Sequence, residues 1–375
     1  MRSSGKITNV ALGGGGVKGI AYIGAFDVME KRGYIPGNMA GVSAGSLAGG
    51  FAAAGYDAAG MWNAMGKFDF DKIQVGKLKE RVPVIDRFMN YAADHRETDI
   101  NGIIPFFASG SKGANPADIN SEKPGILKSI VTYSKEGCLF DGDLLEEWIS
   151  KTLAAKGIRT FGDLRSGKAD SLNPRGYKIR MTGVDCNRVK IVTLPDDAAF
   201  YGIDPDKFEV AKAIRISTAV PFAFKPVELA KSDEGKRKVY NLVDGGVLDS
   251  FPGWLLPENV RGLGYKLNAG ENKIFSLDTP LSILKGLISA VHDIGGKAKP
   301  DSESFTHLAM GEIDTRKVGF LDFSLSAEDK LYLYNSGKTA AEKLLDSLGE
   351  KSRSASVNLP YGFQRVQRWR TRLHE

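Results

Sequence analysis

The chain of 375 residues has only two cysteines, Cys138 and Cys186, and neither lies in a C-x-x-C. A disulfide framework is therefore excluded, and a reducing compartment fits. Long apolar runs are missing too. No stretch nears the roughly 18 apolar residues of a spanning helix, so the expectation is a soluble chain or one peripheral to a membrane. The start, MRSSGKITNVALGGGG, holds an apolar run too short for the h-region of a signal peptide. Histidine is scarce, with four in all, and there is no H-E-x-x-H, no EF-hand loop and no cysteine–histidine pair at ligand spacing. The expectation is no metal and no cofactor. Internal repeats and low-complexity tracts are absent as well. Fifty-one Lys and Arg against 45 Asp and Glu give a formal charge of +6. That balance suits an anionic partner without choosing between nucleic acid and membrane.

What the chain does have is an α/β rhythm. Residues 7–12 (ITNVAL) predict a buried strand, and 17–32 a helix with Ile20, Ile23 and Met29 apolar and Gly33 closing it. A short strand at 39–42 runs into GVSAG, and a small-residue helix follows at 44–54, stopped by Gly55. Strand, glycine turn, helix, repeated, is the pattern of a mainly parallel sheet covered by helices. Residues 67–137 differ in texture and read as an insertion, helical at first and then loop, in the position of a lid. The rhythm returns with a helix in DGDLLEEWISKTLA, whose D-x-x-E start is Asp143 and Glu146. Strands are predicted at 177–184, 189–194 and 239–243, the last ending at Asp244-Gly245-Gly246. Arg215 to Ala223 reads as a loop or helix start closed by Pro221, and 326–349 as a helix opened by Ser326 and Asp329. The domain expectation is a catalytic unit over 1–255 with the insertion inside it, and a mostly helical extension over 256–375 packed on it.

Two glycine motifs carry the chemistry. In GVSAG the glycines Gly41 and Gly45 let the chain turn sharply from strand to helix and expose Ser43, the frame of a nucleophile elbow. A serine hydroxyl needs an adjacent base to attack. In GGGGVKG, glycines bring backbone N–H groups close to an anion at a helix start, and Lys18 adds charge or anchors the loop. Acyl transfer needs such donors, each worth on the order of 3 kcal/mol. The competing fits fail on detail. Gly14, Gly16 and Gly19 match G-x-G-x-x-G, but no acid ends the second strand. Lys18 is followed by Gly19 where a Walker loop needs Ser or Thr, and Gly337-Lys338-Thr339 has Tyr332 where the first glycine belongs.

None of the four histidines has a strand-end context: His95 is in the insertion, His292 and His307 lie in a Gly/Lys/Pro-rich segment, and His374 is next to last. Asp244 does have one, with two glycines after it. An Asp-Gly turn accounts for Asp244 equally well. As a base, it needs partial burial to strengthen a carboxylate of ordinary pKa near 4.

GGGGVKG, GVSAG and DGG in that order, with LFDGDLLEEWI, TFGDL, ISTAVPFAFKPV and DGGVLDSFP, resemble the patatin-like phospholipase family over about residues 7–252. The resemblance implies a three-layer α/β/α fold with a mainly parallel central sheet and a Ser–Asp dyad without histidine. It implies Ser43 as nucleophile, Asp244 as base, and an oxyanion hole lined by Gly14, Gly15 and Gly16. Lys18 takes the place where the family carries Arg or Lys. Gly13 stands where plant members have Asp, and Ser250 where Asn is common; Asp249 reads as structural.

The implied reaction is phospholipase A type hydrolysis of fatty-acyl esters through an acyl-enzyme, with a phospholipid or membrane surface as partner and no nucleic acid. Implied too are a cytoplasmic protein peripheral on membranes, with room for signal-independent secretion into a host cell and for a protein or small-molecule activator. Apolar approach surfaces are sought at Ile103, Ile104, Phe106 and Phe107, and at Phe222 and Phe224. At the C-terminus Phe363, Val366, Trp369 and Leu373 alternate with four arginines at helical spacing, the pattern of a membrane-surface helix or of one docked on the domain. Two other readings stay open: a His-dependent α/β-hydrolase esterase, and a non-enzymatic nucleotide-binding protein using the glycine loop.

Overall fold

Strand β1, Lys6–Leu12, is buried on both faces from Asn9 onward, as a strand inside a covered parallel sheet must be. It belongs to a computed structural model that describes residues 5–66, 68, 73, 138, 140–233, 235–268, 305–320, 322 and 324–357. After β1 a short 3-10 turn, Gly16–Ile20, leads into helix α1, Ala21–Lys31. Gly33, at φ 73°, takes the left-handed conformation that ends α1. Strand β2, Tyr34–Val42, then runs into helix α2, Ala44–Ala53. Helix α3 is Gly142–Ala154, β3 is Ile179–Asp185, β4 is Lys190–Leu194 and helix α4 is Val210–Ser217. Strands β5, Val227–Asp233, and β6, Lys236–Asp244, form a hairpin through Gly235 at φ 77°. Strands β7, Gly262–Asn268, and β8, Leu308–Asp314, precede the long helix α5, Ala327–Val357.

One eight-stranded sheet joins them in the order β5-β6-β3-β2-β1-β7-β8, with β4 also on β3. The pairings β1–β2, β1–β7, β2–β3 and β7–β8 are parallel, and β3–β4, β3–β6 and β5–β6 antiparallel. The fold is therefore α/β with a mainly parallel central sheet. Period-2 alternation splits β1 between two apolar clusters. Val10 and Leu12 join the cluster that holds the apolar residues of α1, α2 and α4, while Ala11 and Ala40 belong to the second cluster with Phe251, Leu255 and Leu256.

The pairing of β3 decides where the site forms. Residues 181–185 of β3 pair with β4 on one edge. The other edge is shared: β2 pairs with residues 179–182, and β6 takes over at residues 183–185, running the opposite way. Val42 lies opposite Thr182 and Asp244 opposite Gly183. The C-terminal ends of β2 and β6 thus meet head-on along one edge of β3.

Several elements depart from the sequence expectations. Helix α3 is capped by Asp141, whose carboxylate accepts from the Asp143 and Leu144 amides at 2.9 and 3.1 Å. Asp143 is a first-turn acid instead. Helix α4 starts five residues before Arg215. Helix α5 has the expected Ser326–Asp329 reciprocal cap but runs past Gly349 to Val357. Beyond residue 255 the chain is not simply a helical layer added to a finished unit. It supplies β7 and β8, and β7 pairs directly with β1. Helix α5 docks on α1 where two glycines cross. A β-carbon on Gly24 would lie 1.9 Å from the Tyr334 carbonyl oxygen, and one on Gly337 would lie 1.8 Å from that of Ala21. Most of the expected insertion over 67–137, its apolar cluster at 103–107, and the C-terminal segment 361–375 lie outside the described residues.

Candidate active site

Ser43 occupies the step between β2 and α2 with φ 53° and ψ −121°, a conformation an L-residue rarely adopts and one that costs about 1–3 kcal/mol. The flanking glycines make the step sterically attainable. A β-carbon on Gly41 would sit 2.7 Å from the Gly45 carbonyl oxygen, and one on Gly45 would sit 2.2 Å from that of Leu12. The Ser43 carbonyl accepts from the Ser46 and Leu47 amides, starting α2 without a side-chain cap. Its own N–H donates to the Ser217 hydroxyl at 3.0 Å. The side chain is thereby left out of the local hydrogen bonding of the turn, and it lines a groove.

Asp244 ends β6 and is 1% exposed. One carboxylate oxygen accepts the Gly246 amide at 2.7 Å, and its backbone N–H donates to the Ala219 carbonyl at 3.0 Å. Gly245 lies against β3 so closely that a β-carbon would fall 2.5 Å from Thr182 Oγ1. The DGG sequence is thus a strand end pressed onto the neighbour of Ser43, and its tight turn holds the carboxylate in place.

The glycine loop is anchored from three sides. Gly13 donates to the Tyr265 carbonyl, Gly14 to the Ser250 carbonyl, both at 3.0 Å, and the Tyr22 hydroxyl donates to the Gly13 carbonyl at 2.7 Å. Burial pushes the Tyr22 phenol pKa well above its usual value, so it stays a donor. The Gly14 amide, one of the three expected to line the oxyanion hole, is bonded to the Ser250 carbonyl. Among the described residues the Gly15 and Gly16 amides meet no acceptor. Gly16 has φ 59°, and a β-carbon there would sit 2.2 Å from the Phe320 carbonyl oxygen. Lys18 is buried within the 3-10 turn. Gly19 packs on Ala44, with its virtual β-carbon 3.0 Å from the alanine methyl, which brings the loop against the helix behind Ser43.

Gly16, Gly19 and Ser43 open into one groove of about 550 Å³, mouth included, whose walls include Leu47, Leu145, Val220 and Phe224. Phe222 and Phe224 are both buried, Phe222 at φ 67°, and of the two Phe224 borders the groove.

Other candidates fall elsewhere. His307 is buried ahead of β8, and its ring lies 6.2 Å from Phe305, in the apolar cluster on the opposite face of the sheet from α2. His95, His292 and His374 lie outside the described residues. Asp249 accepts the Trp254 indole N–H at 2.6 Å and the Phe251 amide at 3.2 Å, a structural use. Gly337 is a helix-crossing residue rather than part of a phosphate loop. Among the described residues no three His, Cys, Asp or Glu side chains are grouped to hold a metal ion, and no helix is long and apolar enough to cross a membrane. Ser217 was missed from sequence. Its signal is its place on the apolar stripe of α4, with Val210, Ala213 and Ile214, where a fully buried hydroxyl requires partners.

A family model described as patatin-like phospholipase matches residues 10–255. A protein of Bacillus subtilis (strain 168), uncharacterized protein YqhO, is 30% identical over 336 residues, which is 88% of this chain and 96% of that protein. Among solved structures, VipD from Legionella pneumophila is similar with a TM-score of 0.45 and 19% identity, over 92% of this chain and 67% of VipD. The type III effector ExoU is similar with a TM-score of 0.39 and 16% identity, over 92% of this chain and 53% of ExoU.

Proposed function

The chain belongs to the patatin-like phospholipase family, and from that premise we propose that it hydrolyses fatty-acyl esters of phospholipids through Ser43 and Asp244. The observation that carries the reading is the meeting of β2 and β6 along one edge of β3, with Val42 opposite Thr182 and Asp244 opposite Gly183.

Asp244 accepts the Ser43 hydroxyl proton as Oγ attacks the acyl carbonyl. The Gly15 and Gly16 amides donate to the oxygen that gains charge, and they are rigid because the chain around them is fixed by Tyr265, Ser250 and Phe320. Asp244 returns the proton to the departing lysolipid oxygen. It then takes a proton from the water that attacks the acyl-enzyme and passes it to Ser43 Oγ as the Oγ–acyl bond breaks and the fatty acid leaves. Burial of Asp244 keeps bulk water from competing for the proton. The walls of the groove suit an acyl chain, and the membrane surface is the partner the reading requires.

Lipid mass spectrometry of phospholipid vesicles tests it. Wild type is expected to release fatty acid and lysophospholipid. Ser43→Ala and Asp244→Asn lower the rate by roughly 10³-fold or more. His307→Ala and His292→Ala keep it. Loss with either histidine variant favours a triad esterase, and no ester hydrolysis by wild type under any activator favours a non-enzymatic role for the glycine loop.

A further inference from the structure

We propose that Ser217 is a positioning residue for the reaction: its hydroxyl holds the Ser43 backbone in the turned conformation from which Oγ attacks. The inference rests on the reading of Ser43 as nucleophile.

A serine hydroxyl has one proton and two acceptor sites. At Ser217 the proton goes to the Thr182 carbonyl of β3 at 2.7 Å, since a carbonyl can only accept. The 2.7 Å contact with Ser46 Oγ must therefore be donated by Ser46, and the remaining site takes the Ser43 N–H at 3.0 Å. All three valences are used, and Ser43, Ser46 and Ser217 are each at most 1% exposed. The hydroxyl ties α4 to the elbow, to the helix behind it and to the strand on which both candidate residues converge.

Of these bonds, the one to the Ser43 amide bears on the chemistry. At φ 53° Ser43 would relax toward an ordinary conformation if the peptide before it rotated. That rotation would break the bond to Ser217. Two residues on, the Ala219 carbonyl holds the Asp244 amide at 3.0 Å. One short stretch thus fixes the backbone of nucleophile and base together. Ser217 is not among the residues that line the groove.

The test uses the full chain with the near-isosteric pair Ser217→Thr and Ser217→Val, which differ in the hydroxyl, and Ser46→Ala, which removes a partner of Ser217 but leaves the Ser43 bond. The readouts are the rate of Ser43 labelling by an alkyl fluorophosphonate, kcat and KM on an ester, and Tm. Ser217→Val is expected to slow labelling and kcat by about tenfold or more relative to Ser217→Thr, with KM little changed. Ser46→Ala lowers Tm while labelling stays near wild type. Equal rates for the threonine and valine chains overturn the proposal, as does an equal slowing by Ser46→Ala. If the valine chain does not fold, Ser217→Cys and Ser217→Ala replace the pair. A falling order Ser, Cys, Ala supports the role, and equal rates refute it. A wild type that labels no better than Ser43→Ala overturns the nucleophile reading itself. A labelled wild type with Ser217 variants at full rate overturns only the role of Ser217.

Discussion

A β-carbon added at Gly45 would meet the Leu12 carbonyl oxygen, a backbone atom that no rotamer change can move aside. Gly45→Ala therefore has to push α2 off β1, and the elbow moves with it. The expected outcome is a loss of about 1–3 kcal/mol in urea unfolding together with a fall in kcat, measured on the same preparation. Glycines of this kind are legible in sequence because their reason is steric and local, and Gly41, Ser43 and Gly45 were found that way. Ser217 was not, since its meaning lies in partners from the turn after β2, from α2 and from β3 that no local pattern brings together. The glycine loop was half legible. Its nearness to the elbow follows from the motif, but only the fold shows the Gly14 amide turned to Ser250.

Among the elements, α3 separates a plausible cap from the actual one. Asp141 and Asp143 both precede an apolar run, and D-x-x-E favoured the second. The chain turns two residues earlier, so the Asp141 carboxylate receives the open amides. Asp141→Ala is expected to cost about 1 kcal/mol, and Asp143→Ala clearly less, by comparing urea midpoints. The early strands and helices were readable because apolar period and glycine stops agree there. Strand β7 was not, because Gly262 and Gly264 look like turn residues. In the fold they are there for close approach: β-carbons at these positions would fall 2.8 Å from the Asn9 carbonyl oxygen and 2.5 Å from the Met310 sulfur.

For the molecule as a whole, the family match ends at residue 255 but the sheet does not. A chain cut after residue 255 leaves β1 without β7, exposing the edge of a strand that is otherwise buried, and leaves α1 without α5. Residues 1–255 alone are expected to give no cooperative thermal transition by circular dichroism, whereas the full chain gives one. A cooperative transition for the fragment would mean that the C-terminal strands are dispensable. The head-on meeting of β2 and β6 has a consequence in time. On a ribosome Ser43 is made early and Asp244 late, and the edge of β3 that joins them is filled only when the last strand of that hairpin arrives. On the proposed reading, a half-made chain beside a membrane carries the attacking group but nothing to deprotonate it.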